Sequence, residues 1–288
     1  MITLKNNNGL MLKLNKKGAA IDELWLGKKL LATKGVTVGR YANRIAKGRF
    51  AIGDNMYQTS INENGNTLHG GKDRFQNRDF RTEMYDRYGI VTNDESDAYT
   101  VVFSLRSVDG DQGFPGTLDL SVSYELSNSN ELIIKYEATS SKDTVVNFTN
   151  HSYFNLNGGG SVWDHDLWVD TDSYTEVDDA LIPTGRILPT KGTPFDLSKG
   201  GKYSTNLDTN FVLRGEGFRK AAELKGLISG ITMTCFTDQP GIQIYNTENE
   251  ICLETQHFPD SPNHENFPST LLRAGEVFKS ETVYKFKK

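Results

Sequence analysis

The sequence predicts an all-β fold, a sandwich or a barrel. Three observations carry this. Short runs of β-branched and aromatic residues recur along the 288-residue chain. Clusters of Gly, Asn and Asp punctuate them. No long stretch holds an apolar face at helical period, which argues against alternating βα units.

Taken in order, Ile2-Thr-Leu-Lys and Leu10-Met-Leu-Lys-Leu flank Asn6-Asn7-Asn8-Gly9 and read as a hairpin. Further strands are expected at Arg49–Ile52, Thr100–Arg106, Gly116–Ser127, Glu131–Ser140 and Thr144–His151. They continue at His165–Val169, Ser229–Thr237, Gly241–Asn246, Ile251–Gln256 and Glu276–Phe286. Lys34–Ile45 and Lys220–Gly226 are ambiguous. No repeat, low-complexity tract or linker-like segment interrupts the pattern, so one domain over residues 1–288 is expected.

Composition excludes several classes. There are 32 Lys and Arg against 37 Asp and Glu, a net charge of −5. A nucleic-acid partner would ask for a basic face, so none is expected. No apolar run approaches the roughly 20 residues of a membrane helix, so no membrane partner is expected. The opening Met1-Ile-Thr-Leu-Lys-Asn-Asn-Asn lacks the apolar core of a secretory signal, and a cytoplasmic location is expected. The two cysteines, Cys235 and Cys252, sit in separate apolar runs and read as buried reduced thiols. The five histidines match no recognised metal spacing, so no metal is expected.

Two strands carry polar groups where a core strand should not. Along Thr144–His151, one face runs Val145, Asn147, Thr149, His151, apolar turning polar. This suits a strand that ends beside a wet cleft. Without context, a histidine at a strand end is more often a solvated or hydrogen-bonded structural residue. In Ile251–Gln256, Glu254 shares a face with Cys252, with Leu253 opposite. Such a carboxylate is costly unless paired, and its pKa rises toward that of a general base. Pattern alone favours the plainer reading, an edge-strand glutamate facing solvent. Asn43 and Arg44 offer donors to an uncharged polar ligand, or else a turn and a surface salt bridge. His69 precedes Gly70 and Gly71, whose missing Cβ atoms let backbone approach a ligand or simply form a turn.

In order, these pieces resemble the aldose 1-epimerase (galactose mutarotase) family. The matching segments are Gly39-Arg-Tyr-Ala-Asn-Arg-Ile-Ala-Lys-Gly48, Leu68-His-Gly-Gly71, Gly113-Phe-Pro-Gly116, Asn150-His-Ser-Tyr-Phe-Asn-Leu156 and Ile182-Pro-Thr-Gly-Arg186. Asp208-Thr-Asn-Phe211, Pro240-Gly-Ile-Gln243, Leu253-Glu-Thr-Gln256 and Pro259-Asp260 follow. The resemblance runs from about residue 35 to the C-terminus. It implies a large antiparallel β-sandwich, the galactose mutarotase-like supersandwich. It implies Glu254 as catalytic base, His151 as general acid and His69 assisting near the ring oxygen. Arg44 and Asp208 match residues that hold sugar hydroxyls, with Asn43 and Gln243 as further contacts.

The implied reaction interconverts α and β anomers of a free hexose such as galactose or glucose, with no cofactor. The expected partner is a small-molecule sugar, and the expected assembly a monomer or weak homodimer. The chain departs from the family's pattern at the cleft rim. Tyr245–Ile251 is a short connection where many members carry an insertion, and Arg74 replaces a glycine. Lys72, Arg74 and Arg78 keep a second reading open, a mutarotase for phosphorylated hexoses, although a solvated basic loop is the favoured account of these three residues. A third is a non-catalytic carbohydrate-binding or sensing domain on the same fold.

Overall fold

The computed structural model describes residues 1–85 and 99–288. Two large antiparallel sheets organise them. From edge to edge, the ten-stranded sheet runs Ile2–Lys5, Leu10–Asn15, Ala20–Leu26, Lys29–Val38, Thr149–Phe154, Ile251–Gln256, Gly241–Asn246, Asp208–Leu213, Thr171–Val177, Pro183–Pro189. The eight-stranded sheet runs His165–Val169, Arg219–Gly226, Thr232–Thr237, Val277–Lys287, Glu131–Ser140, Leu118–Leu126, Thr100–Ser107, Arg81–Tyr85.

The first hairpin shows how local chemistry sets register. Asn6 Oδ1 accepts from the Asn8 and Leu10 amides at 3.0 and 2.8 Å, and Gly9 takes a φ of +86°. That turn pairs Ile2 with Leu14 and Leu4 with Leu12. Along Leu10–Asn15 the three leucines are buried and the residues between them are not. This period-2 alternation puts one face in the core. A single buried cluster draws on both sheets, with Leu12, Leu24 and Ile244 from one and Phe103, Val122 and Ile134 from the other. Phe154 and Tyr284 meet across it with ring centroids 5.2 Å apart. A smaller cluster of Tyr41, Ile45, Phe50, Phe114 and Val145 supports the loops outside the ten-stranded sheet.

Some segments differ from expectation. Of Lys34–Ile45, ambiguous by periodicity, Lys34–Val38 belongs to the strand Lys29–Val38, and Arg44–Ile45 pairs with Thr67–Leu68. Lys220–Gly226 falls within Arg219–Gly226. Thr144–His151 is not one strand. Thr144–Val145 pairs with Leu271–Leu272, and Thr149–Phe154 joins the ten-stranded sheet. Between them Asn147 breaks the ladder. Its backbone bonds Arg40 and Ala42, and its side chain bonds the His257 backbone at 2.9 and 3.1 Å. Those bonds fasten three separate segments and make the chain change sheets.

His151 therefore lies inside a strand rather than at its end. Its neighbour Ile251–Gln256 is an interior strand with all six residues buried, so Glu254 is not an edge residue. Leu253 faces the sandwich core, where its carbonyl accepts from Tyr284 Oη at 2.7 Å. Cys252 and Glu254 face the other way. Among the described residues no helix is long and apolar enough to cross a membrane.

Candidate active site

The outer face of the ten-stranded sheet gathers the candidate residues by register. Tyr153, Cys252, Tyr245 and Asp208 are successive cross-strand partners and form one row. Glu254, Gln243 and Asn210 form the next row in the same way. Side chains on alternate residues share a face, so the polar groups of four strands converge. His151, two residues before Tyr153, completes the second row beside Glu254.

The central contact is between His151 and Glu254. Nε2 of His151 lies 3.4 Å from Oε1 of Glu254. The Glu254 side chain is 2% exposed, and its Oε2 has no partner among the described residues. Burial raises its pKa from the ordinary carboxylate value to about 7. The His151 charge opposes that rise and the Asp208 carboxylate adds to it. His151 stacks on Tyr153 with centroids 5.1 Å apart, which limits how its ring can turn. Its Nδ1 is buried without a partner among the described residues.

His69 arrives from a loop. Its ring stands edge-on to His151 at 5.5 Å. The Asn43 amide donates to its Nδ1 at 3.1 Å. A nitrogen that accepts from an amide carries no proton, so the proton sits on Nε2. Burial first, then the charges of His151, Arg74 and Arg44, hold its pKa well below the ordinary histidine value. His69 is thus a neutral donor through Nε2. Its placement depends on Gly70, at φ +86°, where a Cβ would come 2.1 Å from the Gly39 carbonyl oxygen. His69 and Asn43 both hold positive φ, 52° and 62°. Such conformations in non-glycine residues persist where surrounding structure imposes them.

The other candidates are organised by their own partners. Gln243 Nε2 donates to Asp208 Oδ1 at 2.6 Å, leaving buried Gln243 Oε1 without a partner among the described residues. Arg44 makes a forked pair with Glu63, Nε and Nη2 donating at 2.7 and 2.9 Å. It is not the surface salt bridge that its sequence context also allowed, since its side chain is only 10% exposed. Asn43 Oδ1 accepts from the Arg44 amide at 2.9 Å. Asp260 clamps the same loop: its amide donates to the Arg44 carbonyl, and its Oδ1 accepts from the Ala46 amide, both at 2.9 Å. Arg78, one of three candidate phosphate ligands, is held instead by Asp111 at 2.5 Å and Asp73 at 3.0 Å.

Sequence reasoning did not single out Tyr153, Tyr245, Glu63, Asn147 or the structural use of Asp260. Tyr153 was accessible by period, two residues after His151, and Tyr245 two after Gln243. Glu63 was not, because only the loop fold brings it to Arg44. Chemically, the arrangement has a buried carboxylate with a pKa near neutrality, an adjacent imidazole, a neutral imidazole donor and a polar wall of Asp208 and Gln243. That set can move protons on and off a neutral, hydroxylated ligand.

The chain belongs to the aldose 1-epimerase family of isomerases, whose model matches residues 1–285. The match includes the N-terminal hairpin, further than the resemblance from residue 35. Among relatives, the mouse galactose mutarotase is 40% identical over 280 residues, covering 88% of this chain and 78% of its own. The Escherichia coli (strain K12) aldose 1-epimerase is 32% identical over 338 residues, covering 99% and 94%. In structure, an aldose epimerase homologue from C. elegans superposes with a TM-score of 0.90 at 27% identity, covering 99% of this chain and 98% of its own.

Proposed function

We propose that the protein is a mutarotase that interconverts the α and β anomers of a free hexose such as galactose or glucose. One observation carries the reading: Glu254, with a pKa of about 7, lies 3.4 Å from His151 on the same sheet face. In a hemiacetal the C1 hydroxyl and the ring oxygen are bonded to the same carbon. An acid and a base serving both must therefore stand close together.

Glu254 takes the proton from the C1 hydroxyl while His151 protonates the ring oxygen. The C1–O5 bond breaks and the electron pair of the O–H bond forms the aldehyde C=O. Rotation about C1–C2 presents the other carbonyl face, and the reverse transfers close the ring. Positioned acid–base groups contribute about 10²–10⁴-fold each. His69 donates through Nε2 near the ring oxygen. Asp208 and Gln243 receive sugar hydroxyls, with Asn43 and Arg44 at the loop side, and Tyr153 and Tyr245 offer aromatic faces. Every step is a proton transfer or a bond rotation, so the scheme calls for no cofactor. The contributors span Asn43 to Glu254, which favours one domain over residues 1–288.

Polarimetry on freshly dissolved α-galactose and α-glucose tests the proposal. Faster approach to equilibrium than buffer alone is expected. Buffer-like rates for every aldose tried would reject it. Calorimetry showing sugar binding without acceleration would favour a non-catalytic carbohydrate-binding domain instead.

A further inference from the structure

We propose that Glu254, His151 and Cys252 form a binding site for a divalent cation of the zinc class, which inhibits the enzyme by occupying the acid–base pair. The inhibition half rests on the mutarotase reading; the binding half does not. The three residues present a carboxylate oxygen, an imidazole nitrogen and a sulfur within 4.8 Å of one another. Carboxylate, imidazole and thiolate together suit zinc and its softer neighbours.

Geometry supports the fit. Zinc bonds nitrogen and oxygen at about 2.0–2.1 Å, so two such ligands of a tetrahedron stand roughly 3.4 Å apart. His151 Nε2 and Glu254 Oε1 are 3.4 Å apart. The Cys252 sulfur lies within 4.8 Å of both ligand atoms, so reaching its bonding distance of about 2.3 Å from the metal calls for a side-chain adjustment and no movement of the strand. Cys252 and Glu254 are two residues apart on one strand, and Cys252 lies opposite Tyr153 on the strand that carries His151.

A second observation points to a ligand. Glu254 is 2% exposed, and its Oε2 is buried without a partner among the described residues. The site is also electrostatically ready for a cation, because Asp208 adds negative potential at Glu254 and His69 is neutral. The proton-transfer scheme makes no use of Cys252. On binding, the thiol proton leaves to solvent as the metal–sulfur bond forms, and no electron moves. Mg²⁺ and Ca²⁺, which take six or more oxygens, are poor occupants.

The test titrates metal-free protein with ZnCl₂ by calorimetry and with CoCl₂ by near-ultraviolet absorption. Polarimetry with galactose is run alongside, with Cys235→Ser as a background control. One Zn²⁺ per chain is expected to bind and to slow mutarotation, with Mg²⁺ inert and galactose raising the apparent Kd. Cys252→Ser is expected to keep the uninhibited rate and lose at least tenfold in Zn²⁺ affinity. Co²⁺ is expected to give a thiolate charge-transfer band in wild type and Cys235→Ser; this readout decides the matter even if Cys252→Ser fails to fold. No Zn²⁺ binding at millimolar concentration, no thiolate band, or an affinity unchanged in Cys252→Ser overturns the proposal. Cys252-dependent binding without turnover of any aldose keeps the metal site and rejects the mutarotase.

Discussion

Gln243 sits directly across the antiparallel ladder from Glu254, yet its amide donates to Asp208 on the far side, at 2.6 Å. The neighbour that stands nearest in register thus gives Glu254 no hydrogen bond from its amide nitrogen. Burial pushes this carboxylate toward its neutral form, the Asp208 charge adds to the push, and together they bring its pKa to about 7 against the opposing charge of His151.

The first prediction follows from that value. The base must be ionised to accept a proton, so in metal-free buffer the acidic limb of the kcat/KM profile rises with pH through about 7. A pH–rate profile from polarimetry checks this. An inflection that stays near the ordinary carboxylate value removes Glu254 from the role.

Stability should move the opposite way. The folded-state pKa of about 7 lies above the unfolded value of 4.5. Between them the folded protein holds more protons than the unfolded chain, so stability falls as pH rises through that window. Glu254→Gln removes the buried charge. It should raise Tm relative to wild type at pH 8, by an amount worth about 3 kcal/mol at most, and leave it nearly unchanged at pH 5. Scanning calorimetry at the two pH values reads the difference.

Loss of either proton carrier should cost activity without unfolding. Glu254→Gln and His151→Asn are each expected to lower kcat about 10²–10⁴-fold. The double variant should fall little below the worse single one, because the two act in one concerted exchange. Polarimetry with circular dichroism as a folding control decides it.

His69 should behave differently. As a neutral donor its removal costs a hydrogen bond and no titrating group. His69→Asn is expected to lower kcat about 10²-fold, the scale of one oriented donor lost, while the inflection near pH 7 stays in place. A displaced inflection would make His69 part of the titrating pair.

On the loop side, Arg44→Lys keeps the charge but loses the fork on Glu63. We expect KM for galactose to rise about tenfold, the equivalent of 1.4 kcal/mol, with kcat less affected. Glucose 6-phosphate should show no advantage over glucose, since Arg78 is held by Asp111 and Asp73. A preference for the phosphorylated sugar would reverse that conclusion.

The sequence by itself determined the all-β class, many of the strands and the chemistry they could carry, while Ala20–Leu26, Arg81–Tyr85, Thr171–Val177, Pro183–Pro189 and Asp208–Leu213 were not among the strands it marked. Alternation in Leu10–Asn15 and the polar residues in Thr149–Phe154 and Ile251–Gln256 are short-range signals, because a strand's side-chain period is two. The order of motifs along the chain named the family and the acid, base and sugar-binding candidates. Tertiary structure decided what no local window contains. It placed Ile251–Gln256 in the interior of a ten-stranded sheet, which buried Glu254 and raised its pKa. It paired Arg44 with Glu63 and turned Asn43 toward His69, fixing the tautomer. Those outcomes depend on residues 19, 26 and 103 positions apart in the chain, Arg44 and Glu63, Asn43 and His69, His151 and Glu254, meeting through sheet register and loop closure. Desolvation and hydrogen bonding act across space, not along sequence, and so they were set only when the sheets closed.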